Sequence, residues 1–374
     1  MLQVTSLAFL IDQLFFQAPG GMGTYVRELV PALSRAEPSL EIALFHSRFE
    51  TSPQEEWTDR YPQVEIPSSI RRLYPSWALA RRPPLPTELA SHDLVHSPVP
   101  AAVPPVGTKQ RLVVTVHDVA FLVHRELFAI QWRAMYRAGL FRAVRSADAI
   151  ITVSRHTAED LVRHRRIDEH RIHVVPLAAS LPHVGSDVEE TLVRLKVPKP
   201  YVLFVGTLEP RKNLVRLVRA YRRVAARGAP HALVLAGPIG WGHQQLMREL
   251  AVDLPGEILL TGETSEADRD ALYRGASVFV YPSLYEGFGL PVLEAMGRGT
   301  PCVVSSSSSL PEVAGEAALP VDPRSVAGLT EAIERVINDH DLASRLSAAG
   351  RARAERFSWE DTARQTLEVY KSIL

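Results

Sequence analysis

Two carboxylates, Glu286 and Glu294, stand with seven residues between them in LYEGFGLPVLEAM, flanking an apolar loop built on Gly287 and Gly289. The preceding run SVFVYPS predicts a strand. LPVLEAMGRG predicts a helix with Pro291 in its first turn, where the missing N–H would have been unpaired in any case. The N–H groups of Gly287, Phe288, Gly289 and Leu290 then converge near a positive helix end, and the glycines allow close approach, which makes a seat for phosphate. Glu294, about one turn inside the helix, can look back toward the same side as Glu286. Carboxylates beside a phosphate repel it unless they bind hydroxyls, so the pattern predicts one acid for a ribose and one for a sugar ring. The plainer alternative is a solvated helix glutamate beside a simple turn.

A second segment, VGTLEPRKN, pairs a strand and a glycine turn at Gly206 with Arg211 and Lys212 at the entry to a predicted helix. Adjacent cations at a strand's carboxyl end suit a diphosphate, the arginine by bidentate contact and the lysine as a point charge. Alone, such a pair also fits a solvated helix start.

The elements that must position these residues are legible as alternation. VTSLAFLI, RLVVTVHD, DAIITVS, YVLFVGT, ALVLAGP, EILLTG, SVFVYPS and PCVVSS are short β-rich runs separated by helical patterns. That alternation predicts parallel sheets covered by helices on both faces. A length of 374 residues, 46% of them hydrophobic, fits two domains with full cores. A proline-bearing polar stretch, 179–200, breaks the rhythm and marks the boundary. We expect an N-terminal acceptor-side domain over 1–180, a donor domain over 181–355 and a final helical segment over 356–374, with the strand carboxyl ends of both domains lining a cleft. Ser358 is the expected cap of the last helix, with Trp359, Leu367 and Tyr370 on its packing face.

Composition narrows the partners. With 42 basic and 42 acidic side chains there is no global field for a polyanion, so no nucleic-acid partner is expected. The single cysteine, Cys302, allows no internal disulfide and fits a reducing compartment, the cytoplasm. The apolar start MLQVTSLAFLIDQLFF lacks a basic leader and contains Asp12, so a core strand is expected there rather than a secretion signal. The run SSSSS, Ser305 to Ser309, predicts a polar turn after a strand.

GGMG at 20–23 opens a helix but fits neither GxGxxG, since position 26 is Val, nor a Walker loop, so nicotinamide and ATP sites are disfavoured. No GxSxG, HExxH or cysteine cluster occurs. His117 and Asp118 end the strand RLVVTV, an address that favours a functional histidine over a core one; His96 in LVHSP supports the site at one remove at most. Ser154 fits an N-cap. The segment QWRAMYRAGLFRAVRSA spaces Trp132, Met135, Tyr136, Leu140 and Phe141 along one helical side, with Arg133, Arg137, Arg142 and Arg145 elsewhere. This fits a helix packed on its sheet with a solvated basic face; the sharper alternative is a surface for anionic lipid or a polyprenyl diphosphate acceptor.

GGMGTYVREL, TVHDVAF, ADAIITVS, VGTLEPRKNL, EGFGLPVLEAMGRGTPCVVS and SLPEVAGEAALPVDP occur in an order that resembles the family-4 retaining glycosyltransferases of the GT-B superfamily. The resemblance spans nearly the whole chain, thins between about 45 and 90, and is most like bacterial mannosyltransferases of cell-surface polysaccharide assembly. It implies an α/β fold of two Rossmann-like, doubly wound parallel-sheet domains facing a central cleft, with the last helix returning to the first domain. It further implies that Arg211 and Lys212 hold the donor's diphosphate, that Glu294 binds the ribose, and that Glu286 lies beside the transferred sugar. The backbone of Gly287 to Leu290 would meet sugar hydroxyls and phosphate, Gly21 and Gly23 would bring N–H groups to diphosphate or acceptor, and His117 would contact the sugar.

The expected reaction is retaining transfer of a hexose, by analogy mannose from GDP-mannose, to a glycan or lipid-linked hydroxyl. The expected site is cytoplasmic, with the basic helix as the feature that would bring the protein to the inner face of the membrane. An epimerase on the same scaffold and a non-catalytic nucleotide-sugar binder are the alternatives; no additional acid and base set supports the first, and the retained Arg-Lys and glutamate pairs argue against the second. No cofactor or metal is expected. Asp268 and Asp270 in EADRDALY imitate a metal-binding DxD, but acids near a helix start serve the dipole, and residues two apart share no helix face.

Overall fold

The computed structural model describes residues 4–16, 20–51, 53, 55–128, 130–165, 167–180 and 187–374. The chain forms two compact units, Met1–Leu177 with Ser358–Leu374, and Ala178–Phe357.

The first unit is built on seven parallel strands: β1 (Ser6–Leu10), β2 (Glu41–Ser47), β3 (Gln63–Ile66), β4 (Leu94–Ser97), β5 (Arg111–Val116), β6 (Ala149–Thr152) and β7 (Ile172–Val174), in the order β3-β2-β1-β4-β5-β6-β7. The second carries six: β8 (Tyr201–Val205), β9 (Ala232–Ala236), β10 (Ile258–Gly262), β11 (Val278–Tyr281), β12 (Cys302–Ser305) and β13 (Leu319–Val321), in the order β10-β9-β8-β11-β12-β13. The eight expected runs are all strands. The five others are β2, β3, β4, β7 and β13; β7 and β13 have three residues each, and β13 holds Pro320 at a sheet edge, where a missing donor is tolerated.

Central strands such as YVLFV of β8 and ALVLA of β9 are buried at every residue, as expected of a sheet covered on both faces. In each sheet the chain winds outward and then reverses, between β1 and β4 in the first and between β8 and β11 in the second. The strand order is that of doubly wound sheets, which leave a crevice for ligand at such a reversal, outside the strand carboxyl ends.

The last helix, Trp359–Ser372, packs on the helix Gly20–Ala36 of the first unit. Ser358 caps it by accepting from the Asp361 N–H at 3.0 Å, and Trp359, Leu367 and Tyr370 are buried. Ser154 caps the helix Arg155–Arg165 through the Thr157 N–H at 3.1 Å. The helix Ile130–Ser146 departs from its expected face: Leu140 is buried, but Trp132 and Phe141 point outward. The inward stripe is instead Gly139, Leu140 and Ala143, because Gly139 lies against the backbone of Pro100 and Ala101, where a Cβ would meet the Pro100 carbonyl at 2.4 Å. Arg142 bonds the Ala78 carbonyl at 2.9 Å and Arg133 that of Arg125 at 3.3 Å, which leaves Arg137 and Arg145 on the exposed stripe with Ile130 and Phe141.

Candidate active site

The loops that leave β8 and β11 stand on either side of the chain reversal in the second sheet, and they are laced together. Asn213, in a left-handed conformation at φ 62°, donates from Nδ2 to the carbonyls of Pro282 (3.0 Å) and Pro323 (2.6 Å). The Leu284 N–H donates to the Arg211 carbonyl at 2.9 Å.

This lacing brings Arg211, Lys212 and Glu286 into one cluster. Arg211 Nη1 donates to Glu286 Oε2 at 2.6 Å and Lys212 Nζ to Glu286 Oε1 at 2.7 Å, so one carboxylate accepts from both cations. Burial raises the Glu286 carboxyl, but Arg211 and Lys212 outweigh it, and the group settles at about 2. Burial and Arg211 pull the Lys212 ammonium below its ordinary value, against the opposing pull of Glu286 and Glu209. Lys212 also donates to the Tyr281 hydroxyl at 2.6 Å.

Beyond Glu286 the chain enters the helix Leu290–Gly297. Gly289 precedes it at φ 120°, and a Cβ there would meet Leu310 Cδ2 at 2.6 Å, so glycine is required by the backbone and by internal packing. Phe288 and Leu290 bury their side chains. The serine run does more than turn the chain. Ser308 Oγ accepts from the Glu286 N–H at 2.9 Å, and Ser309 Oγ donates to the carbonyls of Glu286 (2.9 Å) and Phe288 (2.8 Å), bracing the loop from β12. Gly206 spends its N–H on the Ala236 carbonyl at 2.8 Å, so it extends the sheet ladder rather than offering a donor.

Glu294 is half-buried, and its Oε2 accepts from the Tyr273 hydroxyl at 2.9 Å. Tyr273 lies on the helix Glu266–Gly275 and escaped the sequence reading, as did Tyr281 and Glu209; the only local signal for Glu209 is its place in EPRKN. The aspartates of EADRDALY are committed to structure. Asp268 closes a capping box with Ser265 and pairs with Arg194, while Asp270 pairs with Arg298 at 2.8 Å and Arg274 at 3.3 Å. Among the described residues no three of His, Cys, Asp and Glu gather into a metal-holding group. Cys302 is buried, and its thiol is pushed up by burial.

In the first unit, Gly21 is exposed and Gly23 buried in the first turn of Gly20–Ala36. Tyr25, on the same helix, sets its ring edge-on to His117 at 4.9 Å, so the structure places His117 beside that helix start. His117 Nε2 lies 3.1 Å from the Pro98 carbonyl, which can only accept, so Nε2 carries the proton and Nδ1 is an acceptor. Burial lowers this imidazole to about 4, which keeps it neutral near pH 7. His96 sits beneath, fully buried, with Nδ1 2.5 Å from the Tyr370 hydroxyl and Nε2 2.7 Å from Thr115 Oγ1, which in turn lies 2.9 Å from the Tyr25 hydroxyl.

Comparison with known proteins identifies the family and the fold. The family described as Glycosyltransferase Family 4 matches residues 19–181, and that described as Glycosyl transferases group 1 matches residues 190–353. The Escherichia coli O-antigen chain mannosyltransferase B is 33% identical over 379 residues, covering 94% of this chain and 96% of that protein. Sucrose-phosphate synthase from Thermosynechococcus elongatus superimposes with a TM-score of 0.74 at 22% identity, over 98% of each chain. Anabaena HepE, solved with UDP and glucose, gives 0.74 at 19%, over 98% of this chain and 100% of that one, and shares the GT-B fold. These matches, with two sheets of one winding order, establish that the chain belongs to the glycosyltransferases, with a family 4 domain followed by a group 1 domain.

Proposed function

We propose that the protein is a retaining, metal-independent hexosyltransferase that moves mannose from GDP-mannose to a hydroxyl of a glycan or lipid-linked acceptor. The observation that carries the donor site is the Arg211–Glu286–Lys212 cluster at the carboxyl end of β8, next to the helix start at Gly289. Mannose and a polysaccharide acceptor are supported by the E. coli relative named as an O-antigen chain mannosyltransferase.

In this reading the diphosphate shares Arg211 and Lys212 with Glu286 and meets the backbone of Gly287 to Leu290. Glu294, oriented by Tyr273, takes the ribose. The bond between the sugar's anomeric carbon and the diphosphate oxygen breaks, and Arg211, Lys212 and the helix end stabilise the charge left on the nucleotide. The acceptor oxygen then bonds to the anomeric carbon, and its proton passes to the departing diphosphate. Both oxygens of Glu286 already accept from cations, so its geometry favours same-face attack by the acceptor over a covalent glycosyl-enzyme through this carboxylate. Neutral His117, with Nδ1 as acceptor, suits a sugar hydroxyl. The exposed stripe of Ile130, Arg137, Phe141 and Arg145 supports peripheral contact with an anionic membrane; no helix among the described residues is long and apolar enough to cross one.

The test is a thermal-shift screen against GDP, UDP, ADP and their sugars, followed by NMR of the product's anomeric configuration. Stabilisation by GDP and GDP-mannose with an α-linked product is expected. An inverted product, or a preference for another nucleotide, overturns the corresponding part.

A further inference from the structure

Glu209 takes no part in the chemistry proposed above, and an anion at this point opposes it, because a carboxylate beside a diphosphate seat repels the ligand. Yet its side chain is largely buried and fully used. Oε1 accepts from Arg211 Nε at 3.0 Å and lies 2.8 Å from Nη2, while Oε2 accepts from the indole Nε1 of Trp241 at 3.0 Å. The opposite edge of the same guanidinium donates from Nη1 to the Tyr285 carbonyl at 2.9 Å and to Glu286. Arg211 is thus gripped from two sides, and a fork that must meet phosphate in one plane gains from having that plane set before the ligand arrives.

Trp241 is held for this contact. It lies in the segment 237–243 between β9 and the helix Gln244–Leu250, strapped to the β8 loop by the bridge Leu208–Ile239 and by N–H bonds from Leu208 to Pro238 (2.9 Å) and from Gly240 to Leu208 (3.1 Å). The two loops are so close that a Cβ at Gly237 would come 2.2 Å from the Gly206 carbonyl oxygen, and one at Gly240 would come 2.6 Å from Thr207 Cγ2. His243 Nδ1 closes the segment on the Gly240 carbonyl at 2.7 Å.

We propose that Glu209 and Trp241 are positioning residues that hold Arg211 in the orientation in which it receives the leaving diphosphate. The inference rests on the donor role proposed for Arg211. Its test is calorimetric titration of GDP, UDP and ADP into the protein and into Trp241→Phe, Glu209→Gln, Arg211→Ala and the two double variants with Arg211→Ala, with thermal unfolding followed in parallel. Trp241→Phe keeps the ring and removes only the N–H; affinity for the tightest of the three nucleotides should fall about three- to tenfold. Glu209→Gln should also weaken binding, although removing a negative charge near phosphate would by Coulomb's law alone tighten it. On the Arg211→Ala background both changes should fall silent, because their effect passes through the guanidinium.

Tighter or unchanged binding in Glu209→Gln, or equal effects with and without Arg211, overturns the proposal while leaving the donor site standing. If Arg211→Ala itself binds all three nucleotides as well as the parent, or the parent binds none, the donor reading falls and takes this inference with it.

Discussion

Lys212 Nζ stands 2.7 Å from Glu286 Oε1, with both side chains under 10% exposed, at 9% and 8%. This cation and this carboxylate are therefore each other's partners, and changing either one alters the state of the other.

Lys212→Ala leaves Glu286 buried with Arg211 as its one remaining cation, and burying a less compensated charge costs stability as well as function. A drop of about 1–3 kcal/mol in unfolding free energy is expected, with weaker nucleoside diphosphate binding. Urea denaturation and calorimetry check both. An unchanged midpoint with unchanged affinity removes Lys212 from the cluster.

Acid should destabilise the protein in two stages. His96 and His117 are held by burial at about 3 and about 4, below the ordinary 6.5, so the unfolded chain binds more protons and stability falls as the pH drops from 6.5 toward 4. Glu286, held at about 2 against an ordinary 4.5, adds stability that is full above 4.5 and fades as the pH falls toward 2. Urea midpoints at pH 7, 5.5 and 4.5 should decline, with a shallower decline in His96→Gln. A flat profile between pH 7 and 5 contradicts the neutral burial of the two histidines.

Glu294→Gln should lower affinity for GDP and GDP-mannose alike, since both carry ribose, by about tenfold for a lost charged hydrogen bond. Tyr273→Phe, which removes the hydroxyl 2.9 Å from Glu294 Oε2, should produce a smaller loss in the same direction. Glu286→Gln should weaken the sugar donor more than the bare nucleotide. Identical responses of the two ligands to both glutamate changes would end this division of roles.

Dialysis against EDTA should leave most activity if, as proposed, Arg211, Lys212 and the helix start take the part of a metal ion at the leaving diphosphate. Asp270→Asn should act on stability instead: it weakens a pair with Arg298 in which both side chains are 7% exposed, at a cost of about 1–3 kcal/mol. Its turnover per folded molecule should match the parent. Loss of activity in EDTA with rescue by one divalent ion would require a different phosphate site.

Vesicles containing anionic lipid should bind the protein at low salt and release it as salt rises. Arg137→Glu with Arg145→Glu should abolish the binding, and Phe141→Ser should weaken it, because that ring lies under the Arg145 guanidinium at 5.3 Å on the exposed stripe. Equal partitioning onto neutral and anionic vesicles would assign the stripe to solvent.

Much of this protein is written in local pattern. Apolar runs such as YVLFV and VFVY, glycines at turns, Pro291 at a helix start and the caps Ser154 and Ser358 each act over a few residues, so the sequence by itself determined the strands that carry the site, the winding class, and the segments EPRKN and EGFGLPVLE as its edges. Tertiary structure alone decided who meets whom. Glu286 accepts from Arg211 and Lys212 across 75 and 74 residues because the sheet reverses and sets β11 against β8, an adjacency that no local run encodes. Tyr273 on Glu294, Ser309 under Phe288 and Trp241 on Glu209 follow from the same cause, for side chains on neighbouring loops converge only once strand order has fixed which loops are neighbours. The outward turn of Trp132 and Phe141 has a packing cause: the close approach of Gly139 to the Pro100 backbone, rather than the spacing of large apolar residues, chose which face of that helix the core received.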